Sequence, residues 1–253
     1  MSVNSLLVIV LVAFLLAGCA AMGQQSSNQE RSSEINTELG MTYLQQGNER
    51  QAKDSLDKAL EQNPNNALAH ATMAVLQERL ERHDEARRHF QRAIRLDGDN
   101  ASVRNNYGRF LCNRGEYADA REQFERAIAD SLYERRELAL ANAGLCALQA
   151  GETGEAEDYL RRSLEQSPTF APALRRMAEL RYETEDYLSA RGYIQRYREV
   201  SGMNAGDLWL AIRIEHALGN EDDVASYGVR LRSDFPDSEE TRLYNQLRRD
   251  GRT

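Results

Sequence analysis

Residues 105–127 read Asn-Asn-Tyr-Gly-Arg-Phe-Leu-Cys-Asn-Arg-Gly-Glu-Tyr-Ala-Asp-Ala-Arg-Glu-Gln-Phe-Glu-Arg-Ala, and the rest of the chain repeats their plan. Gly108 is followed by Ala120, Phe124 and Ala127. One period of 34 residues earlier the same places hold Ala74, Ala86, Phe90 and Ala93. One period before that they hold Gly40, Ala52, Leu56 and Ala59. Small residues at three fixed places let two antiparallel helices approach closely, and the large residue between them fills the gap that remains. Glycines at 47, 115, 151 and 219 fall where the first helix of a unit should stop, since glycine takes the left-handed cap conformation cheaply. Pro64, Pro168 and Pro236 fall where the second should stop.

The phase holds through six units: 33–66, 67–100, 101–134, 137–170, 171–204 and 205–238, with Arg135 and Arg136 inserted before the fourth. The last is the most degenerate, with Leu208, Ala211, Gly219, Val224 and Leu231. This pattern resembles the tetratricopeptide repeat family. The resemblance implies an all-α superhelix of six helix-turn-helix repeats over 33–238. One such repeat cannot bury its own apolar face, so neighbours stack and the last needs a polar lid. Residues 239–253 supply a capping helix and tail, with Thr241, Leu243, Tyr244 and Leu247 forming one apolar stripe.

The front of the chain carries a different signal. Leu6 to Leu16 is an almost unbroken apolar run ending in Leu16-Ala17-Gly18-Cys19. It is short for a membrane span, which needs about 20 apolar residues, and fits the core of an export signal. The Leu-Ala-Gly-Cys ending resembles the lipobox of bacterial lipoproteins, although no Lys or Arg precedes the apolar run. By that resemblance residues 1–18 are removed and Cys19 is acylated on its sulfur and its new amino group. Several acyl chains anchor far better than one. Ala20 after the cysteine, in place of Asp, implies delivery to the outer membrane in that family. Residues 19–32 are then a lipidated, flexible tether, being small and polar with no apolar period.

Composition narrows the function. The formal net charge is -8, a poor match for nucleic acid, so no nucleic-acid partner is expected. His70, His83, His89 and His216 lack metal-ligand spacing, and there is no Cys-x-x-Cys, nucleophile elbow or phosphate loop. No enzyme, metal or cofactor is expected. With Cys19 lipidated, Cys112 and Cys146 remain; both read as small buried apolar residues, and a disulfide between neighbouring repeats is open to them.

What remains is a binding scaffold. In a tetratricopeptide stack the first helices line the concave face, at positions 2, 5, 9 and 12 of each unit. Those positions are apolar at the front, at Met41, Leu44, Leu68, Ala71 and Val75, which we take as candidate partner-binding residues. They turn polar at Ser102, Asn105 and Arg109, and apolar again at Leu138, Ala141, Leu145 and Leu148. They are charged at Arg175 and Glu179, and Trp209 follows. Apolar groove residues are the better binding candidates, unless they pack between neighbouring helices.

A lipobox, a short leash, six such repeats and a cap, together with the 105–112 stretch, resemble the tetratricopeptide lipoproteins of type IV pilus biogenesis over the whole chain. That resemblance implies a monomeric pilotin, lipid-anchored at the periplasmic face of the outer membrane. Such a protein binds secretin subunits and promotes their localisation and multimerisation. The alternative is an adaptor lipoprotein for another envelope machine, for outer-membrane barrel assembly or cell-wall hydrolase regulation.

Overall fold

Helix α1, residues 27–45, and helix α2, Glu49–Gln62, form the first hairpin of a computed structural model that describes residues 27–250. The export signal 1–18, Cys19 and the leash as far as residue 26 lie outside the described residues, as does the tail from 251. Residues 27–32, assigned to the tether from composition, are helical and belong to α1. Polarity alone gave no period there, but the run carries neither proline nor glycine, so nothing stops the helix from extending backwards.

The remaining helices follow as α3 Ala67–Arg79, α4 His83–Leu96, α5 Ala101–Asn113, α6 Tyr117–Ala129, α7 Arg136–Gln149 and α8 Thr153–Gln166. After them come α9 Ala171–Glu183, α10 Tyr187–Val200, α11 Ala205–Ala217, α12 Glu221–Asp234 and α13 Glu239–Asp250. Among the described residues there is no strand. The odd-numbered helices to α11 are the first helices of the six expected repeats, the even-numbered ones the second, and α13 is the terminal cap. The chain divides into two compact units, Met1–Phe110 and Leu111–Thr253.

The periodic small residues do what their spacing requires. Ala52, Ala86, Ala120, Ala156 and Ala190 are fully buried, as are Leu56, Phe90 and Leu160 beside them. A Cβ on Gly40 would lie 2.7 Å from Leu56 Cγ, and one on Gly144 would lie 2.8 Å from Leu160 Cγ. Both glycines are therefore demanded by the large residue opposite. Each buried Leu or Phe is worth about 1.5–3 kcal/mol, and that gain depends on the close approach. Asparagines at the end of a repeat start the next one. The Asn66 side chain accepts from Ala69 N, Asn100 from Val103 N, and Asn204 forms a reciprocal capping box with Asp207.

Every first helix ends the same way. The residue fifteenth in the repeat is left-handed, and the next amide reaches back past it into the last turn: Asn48 N to Tyr43 O, Arg82 N to Gln77 O, Glu116 N to Leu111 O, Glu152 N to Ala147 O, Asp186 N to Arg181 O and Asn220 N to Glu215 O. Four of the left-handed residues are the glycines expected. The other two are Glu81, with φ of 59°, and Glu185, with φ of 62°.

The sixth repeat looked degenerate because its size pattern is inverted. Ile212 stands at the usual small position and Gly228 at the usual large one. The ring of Tyr244 from α13 occupies the space: a Cβ on Gly228 would be 2.0 Å from Tyr244 Cζ. Tyr244 is buried there. Thr241 fastens the same helix by donating to the Phe235 carbonyl at 2.8 Å. In the compact unit Leu111–Thr253, Cys112 of the third repeat and Cys146 of the fourth are joined in a disulfide with Cα atoms 5.7 Å apart. The alternative of two free buried thiols is thereby excluded.

Candidate partner-binding groove

In the unit Met1–Phe110, helices α1, α3 and α5 present one face each to a groove of about 210 Å³. It is lined by Met41, Leu44 and Gln45 from α1, by Leu68, Ala71, Thr72, Val75 and Arg79 from α3, and by Ser102, Val103 and Asn106 from α5. All five residues singled out from sequence, Met41, Leu44, Leu68, Ala71 and Val75, line it.

They are not equivalent. Leu44 is 6% exposed and packs with Ala52, Leu56, Met73 and Leu76. Ala71 is buried with Ala93 and Val103. These two form the groove's wall and belong to the core. Leu68 is 43% exposed, and Met41 and Val75 are half-buried. Those three offer the accessible apolar surface. The difference follows from α3 being apolar on two sides. Met73 and Leu76 belong to the α1–α2 core, Leu68 lies along the groove, and Val75 borders both.

The walls are pinned at both ends by polar contacts. At one end Asn66 Nδ2 donates to Ser33 Oγ at 2.9 Å and to Thr37 Oγ1 at 3.1 Å. At the other, Arg79 Nη1 donates to the Leu44 carbonyl at 2.6 Å, in the last turn of α1, where that oxygen also accepts from Gly47 N at 3.2 Å. Arg109 pairs with Glu78 at 3.2 Å on the same side. A groove so held is preorganised, which lowers the entropy cost of taking up a ligand.

Sequence reasoning missed Gln45, Thr72 and Arg79, and discounted Asn106. They stand at positions 6 and 13, one residue beyond those counted, so a helical face wider than four positions per repeat would have found them. It also missed Val103, a buried residue of the wall at position 3. Asn105, counted as a groove residue, is instead buried. In the unit Leu111–Thr253, Ala141 is in the core, and Leu138, Leu145 and Leu148 are partly buried. Arg175 does not offer a free charge. It pairs with Glu179 at 2.9 Å and with Asp207, which is fully buried and also accepts from Tyr197 Oη and Asn204 N.

Comparison with known proteins agrees with this architecture. Two models described as tetratricopeptide repeat match residues 37–101 and 99–168. The chain is 35% identical over 243 residues to the type IV pilus assembly protein PilF of Pseudomonas aeruginosa, covering 94% of this chain and 96% of that one. A crystal structure of PilW, described as a widely conserved type IV pilus biogenesis factor, superposes with a TM-score of 0.77 at 36% identity, over 83% of this chain and 97% of that one. A structure of Pseudomonas aeruginosa PilF superposes with a TM-score of 0.78 at 34% identity, over 87% and 99% of the two chains.

Proposed function

Because the chain belongs to the PilF/PilW family of tetratricopeptide proteins of type IV pilus biogenesis, we propose that it is a pilotin. In this reading it is anchored through acylated Cys19 to the outer membrane, binds secretin subunits, and promotes their delivery and multimerisation there. The observation that carries the reading is the groove on α1, α3 and α5: accessible Leu68, Met41 and Val75 over a rigid wall of Leu44 and Ala71. These repeats follow directly on the lipobox segment. A grip close to the anchor holds the captured segment at the membrane it must enter. An apolar hot spot of this kind loses at least about 2 kcal/mol when truncated.

The test is capture of the secretin from detergent extracts by the purified mature chain. Changing Met41 and Leu68 together to Asp should abolish capture while helicity persists. Changing Leu138 and Leu148 should leave it intact. Loss of capture with the second pair alone would move the site to the unit Leu111–Thr253. Normal capture by both variants would refute the groove mechanism. Cys19→Ser should yield a folded protein that no longer fractionates with the outer membrane and no longer supports heat-stable secretin multimers.

A further inference from the structure

The chain's single tryptophan, Trp209, lies beside an arginine that the fold leaves unused. Arg213 Cζ stands 4.6 Å from the ring centre of Tyr182 and 5.9 Å from that of Trp209. Tyr182 is supported in turn by Tyr187, with ring centres 5.6 Å apart. Trp209, Arg213 and Tyr182 hold positions 5, 9 and 12 of their repeats, so α11 and α9 present them on the face lined by first helices. All three are half-buried.

The charges around this cluster are already matched. Asp207 and Glu179 are taken by Arg175, and Glu179 also by Arg176. Glu215 is buried and held by Arg191 and by Asn220 Nδ2. His216 pairs with Glu221. Arg213 makes no ion pair or hydrogen bond among the described residues, and its Nε is enclosed without an acceptor. A fold with a net charge of -8 has no shortage of carboxylates, yet none is placed here. Cation–π contact with two rings restrains the guanidinium, and its Nη groups remain for a planar, two-oxygen acceptor. The same rings offer apolar contact to the rest of a ligand.

We infer that Tyr182, Trp209 and Arg213 form a second recognition site, for a peptide carboxylate flanked by apolar side chains. A C-terminal carboxylate and an Asp or Glu side chain present the same two oxygens, so the test separates them. The site does not depend on which partner occupies the groove in the other unit.

Trp209 reports on it directly, since no other tryptophan contributes emission. The mature chain is titrated with acetyl-Ala-Leu-Glu-Leu-Glu-Ala-amide, with its Gln twin as the amide, and with that Gln twin bearing a free C-terminus. The expected result is a saturable change in Trp209 emission with one or both carboxylate peptides and none with the Gln amide. Response to the first peptide alone assigns the site to acidic side chains; response to the third alone assigns it to chain ends. Arg213→Ala should weaken the binding at least tenfold with an unchanged far-ultraviolet spectrum and melting point. Arg213→Lys, which keeps the charge and loses the fork, should fall between. Three outcomes overturn the inference: equal response to the Gln amide, equal response to inorganic phosphate at matched ionic strength, or no response to any peptide up to millimolar concentration.

Discussion

His89 donates its Nδ1–H to Nδ1 of His70 across 2.9 Å, joining α4 to α3. The direction is fixed by a third atom. His70 Nε2 lies 3.1 Å from the Pro64 carbonyl, which can only accept, so the His70 proton is on Nε2 and its Nδ1 is the free lone pair. A second proton would set two N–H groups against each other.

Acid should therefore weaken the unit Met1–Phe110. Desolvation by burial lowers the His70 pKa from 6.5, with Arg92 and Arg95 adding repulsion against the pull of the Pro64 carbonyl. Desolvation likewise lowers that of His89, with His70 and Arg88 adding repulsion against weaker attraction from Asp57 and Glu85. The unfolded chain then binds protons first as pH falls below the ordinary value. The stabilisation is complete above about pH 6.5 and is lost through the lower folded values. Denaturant midpoints at pH 7.5, 6.0 and 5.0 should fall less steeply for His89→Gln than for the parent. Parallel curves would show that the pair carries no proton linkage.

Glu81→Gly and Glu185→Gly should each stabilise the protein. Both residues are left-handed, a conformation that costs an ordinary side chain about 1–2 kcal/mol. Glycine regains part of that after its larger unfolded-state entropy is counted. A melting point raised by about 2–4 °C per substitution is expected. Gly47→Glu should move it down by a comparable amount.

Gly228→Leu should expel Tyr244 and undock α13. The ring fills the volume where a Cβ would sit, and overpacking costs about 1–3 kcal/mol. Amides of 239–250 should lose hydrogen-exchange protection first. The double variant Gly228→Leu with Tyr244→Ala should be less destabilised than the two single effects summed, because the new side chain refills the slot that the ring vacates.

Leu44→Asp and Leu68→Asp should fail in different ways. Leu44 is in the core beside Leu56 and Leu76, so a carboxylate there destabilises the first hairpin by about 3 kcal/mol or more. Leu68 is accessible, so its change should leave the melting point within about 1 kcal/mol equivalent of the parent. Equal melting of the two variants would mean that Leu44 is not the wall of the groove.

The helical plan was legible because its signal is redundant. Gly40, Gly108 and Gly144 mark the same contact, and each repeat tests the phase of the next. The five groove residues were legible for the same reason, since a face is a sum of phases. What stayed hidden depends on partners far apart in sequence. Gly228 is intelligible beside Tyr244 and puzzling without it. Glu81 and Glu185 keep a cap whose hydrogen bonds hold whatever side chain is attached. Arg213 gave no sign of being unpaired, because pairing depends on where Arg175 and Arg191 spend their neighbours. The disulfide lay beyond periodicity too, since a cysteine at a buried helical position reads as any small apolar residue.

That disulfide has a mechanical consequence. A row of helix pairs pulled from its ends gives way pair by pair, each adding its full contour to the extended chain. The bond between Cys112 and Cys146 closes a loop of 34 residues, and load passes through sulfur instead of through the backbone inside it. At about 3.5 Å for each extended residue, the oxidised chain would yield about 120 Å less slack than the reduced one. For load between the lipid and a ligand held at the Tyr182–Trp209–Arg213 site inferred above, the bond limits how far the intervening chain can lengthen; load between the lipid and the α1–α3–α5 groove does not pass through it.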